Sequence, residues 1–178
     1  MKEKIHNITK KIHKNKNILI LIMALFLLSA DIFTKYLINT NFNLMETKVI
    51  IVDFFSITKI YNEGASWNIL SGYKYILIII AIIMLITLYY YQRKFKLNDR
   101  NVIAFSAVYA GILGNLIDRI IYGSVIDFLD FHIFNYDFPV FNLADILIVF
   151  GIFLLIIAIL KKEDINELDS NKWRWKNR

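Results

Sequence analysis

Four apolar stretches, each long enough to cross a lipid bilayer as a helix, leave this chain few ways to fold. They cover about residues 17–38, 73–92, 101–121 and 141–160 of the 178. Hydrocarbon offers no partner to a backbone N–H or C=O, so a spanning segment of this kind must satisfy its own ladder as a helix. The second stretch is the cleanest, with no charge from Tyr75 to Tyr91. The third is the least apolar and carries Ser106, Gly111, Gly114 and Asn115. Its Ala107/Gly111 and Ala110/Gly114 pairs have the small-residue spacing that lets helices approach closely. A mean hydropathy of +0.50 fits one compact membrane domain rather than an ordinary soluble one. No cysteine is present, which excludes thiol catalysis and thiolate metal sites.

The net charge of +6 would interest a nucleic acid only if the basic residues formed a patch, and their placement points to membrane topology instead. Sixteen of the 21 Lys and Arg fall in residues 2–16, 93–100 and 161–178, and five (Lys35, Lys48, Lys59, Lys74 and Arg119) fall in the alternate loops and helix ends. Both termini are therefore expected on the cytoplasmic side. The expected organisation is a basic tail over 1–16, a four-helix domain over 17–160 and a charged tail over 161–178. Trp173 and Trp175 in that last tail are expected at the inner headgroup level. The N-terminal segment also has signal-peptide traits: a basic start, an apolar run and small residues at Ser29 and Ala30. Its continuation through Asp31 and Lys35, and the odd number of spans that cleavage would leave, favour a retained helix.

Two loops are expected outside. Residues 49–52 and 54–59 are short, apolar and β-prone, which predicts a small strand platform at the membrane surface. Residues 122–140 read as a shorter aromatic loop, with Phe131, Phe134, Tyr136 and Phe138 at the interface.

This topology brings the outlying polar residues to one membrane surface. Asp31 and Lys35 share a face at the end of the first helix, four residues apart. Asn115, Asp118 and Arg119 share a face at the end of the third. Asn142 and Asp145 open the fourth, Asn62 and Gly64 lie in the first outer loop, and Asp127 lies between helices three and four. Plain structural roles serve several of them. Asp31–Lys35 reads first as a stabilising pair, Asp118–Arg119 as a hydrogen-bonding hub and Asn142 as a helix cap. Asp145 in a first turn gains from the helix dipole. Asp130 and Asp137 read as solvated loop charges. Asp127 has no comparably simple role. A carboxylate skirting a membrane is costly and is a functional candidate by default, and two at one depth make an acid/base pair.

Other chemistries fit poorly. His6 and His13 lie in the basic tail and His132 stands alone outside, so no multi-histidine metal site forms there. Ser29 is six residues from Lys35, on another face of the helix. No phosphate-binding glycine loop exists, and no cofactor is implied.

Taken together and in order, DIFTK, NEGASW, GNLIDR, SVIDF and FNLAD resemble the motifs of the lipoprotein signal peptidases, or signal peptidase II. The resemblance covers about residues 17–160. It implies a mainly α membrane protein of four transmembrane helices with a small extracytoplasmic β-cradle. It also implies an aspartic endopeptidase without metal in the bacterial inner membrane, which removes signal peptides from diacylglyceryl-modified prolipoproteins just before the lipidated cysteine of the lipobox. Carried over by motif, the catalytic pair is Asp127 and Asp145. Asp31, Lys35, Asn62, Gly64, Asn115, Asp118, Arg119, Asn142 and Ala144 fall on the supporting or substrate-binding positions. The implied partners are lipidated prolipoproteins and membrane lipids, with the chain expected to be a monomer. Two positions depart from the pattern: Ile32 stands where glutamine is usual, and Trp67 where phenylalanine is. Both bear on pocket shape rather than chemistry. Two other functions remain open to the residues alone. A proton-coupled transporter or channel subunit also uses membrane carboxylates, though usually near the midplane, and a lipid-binding scaffold would use the strand platform.

Overall fold

The computed structural model describes residues 2–65, 69–133 and 136–161, with side chains described over 15–65, 69–133 and 138–161. Ser66, Trp67 and Phe134, and the tail that holds Trp173 and Trp175, lie outside the described residues. The element order is α1 (Lys2–Asn41), β1 (Thr47–Ile51), β2 (Phe55–Asn62), α2 (Lys74–Gln92), α3 (Asp99–Ile121), β3 (Val125–Ile133), β4 (Tyr136–Asp137) and α4 (Leu143–Lys161). All four helices are long and apolar enough to span a membrane. The first starts well before its apolar run, at Lys2, because nothing between Glu3 and Lys16 breaks a helix: neither Pro nor Gly occurs there. It also runs unbroken through Ser29 and Ala30, and Ser29 donates its hydroxyl to Leu25 O at 2.7 Å within the same helix.

The least apolar helix is the central one. α3 packs against α1, α2 and α4, and its buried residues run from Asn101 to Asp118. The other three spans are more apolar than α3 and bury a far smaller share of their residues. In a bilayer these two facts have one cause. A lipid-facing side chain must be apolar, whereas a helix enclosed by protein can carry small and polar groups and use them for contact. Gly111 sits against Ala144 O and Ile148, and Gly151 against Val108 and Ala104 O, so α3 and α4 meet almost backbone to backbone.

The strand platform forms as expected, and it is larger than expected. β1 and β2 pair antiparallel, with Thr47 opposite Thr58. The segment read as an aromatic loop is instead a third strand. β3 pairs antiparallel with β2, placing Ile60 opposite Asp127 and Ser56 opposite Asp130, and β4 folds back on its far end. Alternation is hidden in β3 because its first four residues, Val125 to Phe128, are all buried. Asp130 is consequently no solvated loop charge. It accepts the Thr58 hydroxyl at 2.6 Å across the strands, with His132 Nε2 at 3.5 Å on its other oxygen. For Asp137 only the backbone is described, in β4.

Lys59 ties this sheet to the helices. Its ammonium is buried and donates to Asn39 O at 3.0 Å and Phe42 O at 2.8 Å, capping the C-terminus of α1 with a cation where the helix dipole is negative.

Candidate active site

The polar residues at the helix ends converge beneath the sheet in one connected network. Its base is Lys35, 2% exposed. Its ammonium donates a hydrogen bond to Asn115 and forms close ion pairs with two carboxylates. Asp31 Oδ2 lies at 2.9 Å, Asp118 Oδ2 at 3.0 Å and Asn115 Oδ1 at 3.0 Å. The Asp31–Lys35 pair is therefore more than a helix-end bridge, since it joins α1 to α3. Asp31 also accepts Ala144 N at 2.9 Å, which fixes the start of α4. Asp118 also accepts Ile126 N at 3.2 Å, which fixes β3 one residue before Asp127. The hub reading of Asp118 thus has a definite content: it holds Lys35 and the incoming strand.

α3 ends through Gly123, whose φ of +81° is left-handed and reverses the chain toward β3 at no steric cost. Tyr122 N and Gly123 N close that end on Asp118 O and Arg119 O. This turn is what carries Asp127 back over the helix bundle.

Above the lysine lies the carboxylate layer. Asn142 and Asp145 cap α4 reciprocally. Asp145 N donates to Asn142 Oδ1 at 3.0 Å, and Asn142 N donates to Asp145 Oδ2 at 3.2 Å. Asn142 is fully buried, and its amide donates to Asp127 Oδ1 at 2.6 Å and to Asn115 Oδ1 at 3.1 Å. Asn115 donates to Asp145 Oδ1 at 2.8 Å. Asn62 donates to the other oxygen of Asp127 at 2.9 Å. Two asparagines thus join Asp127 to Asp145, whereas Asp118 faces Lys35.

The loop after β2 closes one side. Gly64 N donates to Asn62 Oδ1 at 2.9 Å, which orients the amide that reaches Asp127. Arg119 donates to Gly64 O at 2.8 Å and Asn115 O at 3.3 Å, latching that loop to α3. Ile32 is exposed on α1 beside the buried Asp31.

Burial, and then the charge of Asp145, push the Asp127 carboxyl up to about 7, while the Asn62 and Asn142 hydrogen bonds and Lys35 pull it down. Near neutral pH this site therefore holds one easily protonated carboxyl, that of Asp127, close to the side chain of Asp145. Among the described residues no group of three or more His, Asp or Glu is placed to hold a metal ion.

One contact sets a steric limit. A Cβ on Gly114 would run into Asp31 Oδ2, with Ala144 Cβ behind it. Asp31 cannot yield without losing Lys35 and Ala144 N. Gly114→Ala is expected to destabilise the protein by about 1–3 kcal/mol, the usual range for overpacking. Thermal unfolding in detergent checks this, and an unchanged midpoint would mean that α1 and α3 can separate freely.

Every residue singled out by its motif except Trp67 is described, and all but Ile32 meet in this network. Lys59 and the Thr58–Asp130 bond were missed. Neither has a local signal, because both depend on strand pairing.

The family profile described as Signal peptidase (SPase) II matches residues 23–161. A lipoprotein signal peptidase of Staphylococcus aureus (strain JH9) is 44% identical over 142 residues, covering 79% of this chain and 87% of its own length. The protein of strain Newman matches equally. A bacterial membrane enzyme solved in meso at 2.3 Å superposes with a TM-score of 0.71 at 41% identity, covering 80% of this chain and 87% of that one. A second, at 1.9 Å, gives 0.69 at 41% identity, covering 80% and 92%.

Proposed function

The chain belongs to the signal peptidase II family, and from that membership we propose that it is an aspartic endopeptidase of the bacterial inner membrane. Its substrates are diacylglyceryl-modified prolipoproteins, cut before the lipidated cysteine. The observation that carries the aspartic mechanism is the joining of Asp127 and Asp145 through Asn115 and Asn142. In this reading the residues at 1–16 and 161–178 are cytoplasmic tails, and the site faces the extracytoplasmic surface. The enzyme works as a monomer, with membrane lipids around it.

Asp145 acts as the base. It takes a proton from a water as that water attacks the scissile carbonyl carbon. Asp127, protonated, hydrogen-bonds to the carbonyl oxygen and stabilises the charge that develops there. The tetrahedral intermediate collapses as the leaving amine of the cysteine receives a proton from the pair. Asn115 and Asn142 hold both carboxyls in place. Lys35 and Arg119 lend positive potential from below and beside them. The signal helix lies among the transmembrane helices, which brings the bond at its outer end to this layer.

Incubating the purified enzyme with a diacylglyceryl-modified prolipoprotein, beside its unmodified form, tests the assignment. Mass spectrometry should find a lipidated cysteine as the new N-terminus from the modified substrate only. Equal cutting of both forms would remove the lipid from recognition, and cutting of neither would overturn the assignment.

The pH profile follows from the raised carboxyl. Asp127 carries its proton below about 7 and loses it above. Without that proton it cannot donate to the carbonyl oxygen. The kcat/KM profile should therefore show an alkaline limb near 7, falling about tenfold per pH unit beyond it. A profile flat from pH 6 to 9 would contradict the role given to Asp127.

A further inference from the structure

A cavity lies away from the carboxylates, toward the opposite end of the bundle. It holds about 700 Å³ between α1, the end of α2 and α3. Asn17, Leu21 and Leu25 line it from α1, and Tyr109 and Leu113 from α3. Gln92 and Arg93 line its end nearest the start of α1. That end is polar: the buried Gln92 donates to Asn17 Oδ1 at 3.1 Å, and Arg93 is exposed. Among the described residues no carboxylate pairs with Arg93, which rests only near the Tyr89 ring, 5.9 Å from its centroid. Lys16, by contrast, is neutralised by Asp99 at 2.7 Å.

Its lining reaches Leu28 on α1 and Leu113 on α3 and includes neither Asp31 nor Asn115. From Asn17 to Leu28 α1 rises about 16 Å, close to the roughly 15 Å of hydrocarbon in one leaflet. A signal helix would have to pass onward to the carboxylates, and its basic start would meet the like charge of Arg93. An apolar cleft about one leaflet deep, lined at one end by a cation that no described carboxylate neutralises, fits a different occupant.

We propose that this cleft binds one anionic phospholipid from the leaflet opposite the carboxylate site, with an acyl chain between α1 and α2 against Tyr109 and Leu113 and the phosphate at Arg93.

The test is native mass spectrometry of the full-length protein in detergent, titrated with phosphatidylglycerol or with phosphatidylcholine of the same chains. Wild type should retain one phosphatidylglycerol per chain in preference to phosphatidylcholine. Arg93→Gln, an exposed change, should lower phosphatidylglycerol affinity by about fivefold, the effect of one basic residue near an anionic headgroup, and leave phosphatidylcholine unchanged. Leu25→Trp, at a position already 53% exposed, should block the cleft and abolish retention of both. Equal retention of the two lipids by wild type, or retention unaffected by Leu25→Trp, would overturn the proposal. So would retention of phosphatidylglycerol that is displaced stoichiometrically by a signal peptide, which would assign the cleft to the substrate helix.

Discussion

Asp127→Asn and Asp145→Asn should each lower cleavage of a lipidated prolipoprotein by about 10²–10⁴-fold, the contribution of a positioned acid or base. The substitutions are nearly isosteric, so the comparison isolates protonation chemistry. At 145 an amide keeps one oxygen to accept from Asn115 or from the Asn142 backbone, but it cannot take a proton from water. At 127 an amide oxygen can still accept from Asn142, but the side chain no longer titrates. Both variants should elute as folded protein and bind substrate, so the loss should fall on kcat more than on KM. Activity within about tenfold of wild type in either would sink the dyad. Asp118→Asn makes the useful contrast. It removes a charge from Lys35 and weakens the hold on Ile126 N. Its main cost should appear in thermal stability.

Lys35→Met is expected to cost about 3–5 kcal/mol of stability, the usual effect of removing one partner from a buried charge cluster. Methionine fills similar volume, so the loss is not a cavity effect. It leaves Asp31 and Asp118 buried together without a cation, and Asn115 Oδ1 with only the Asn142 amide as donor. Asn115 also reaches Asp145, so activity should fall with stability. Adding Asp31→Asn and Asp118→Asn to Lys35→Met removes the uncompensated charge and should restore much of the melting temperature. A single variant that melts with wild type would mean that water or protonation already relieves the cluster. A triple variant no better than the single would mean that the lysine acts by shape rather than charge.

Much of this architecture could be read along the chain, for identifiable reasons. The four spans follow from hydropathy and length, which are local. Asn142 as a cap also follows locally, since its partner Asp145 is three residues on. The sharing of one membrane surface by Asp31, Asn115 and Asp145 follows from topology once the spans are known. β3 was not legible. Its buried start breaks the alternation that marks a half-exposed strand, and its aromatic residues suit an interfacial loop equally well. The depth of each helix in the bundle was not legible either. α3 carries the weakest hydropathy because it is enclosed, and hydropathy alone cannot separate an enclosed helix from a marginal span.

By itself, then, the sequence determined the number of crossings, the grouping of the polar residues at one end and the family to which their spacing belongs. The first two depend on composition and short periodicity, and the third on five motifs in order. Only the tertiary structure decided which carboxylates meet. Asp118 and Asp127 are nine positions apart and lie at the same surface, and beyond their resemblance to family motifs nothing local separates them. The left-handed turn at Gly123 and the pairing of β3 with β2 bring Asp127 to Asn142, while packing of α1 on α3 gives Asp118 to Lys35. Those choices rest on contacts between residues distant along the chain, whose geometry exists only once the helices and the sheet have docked.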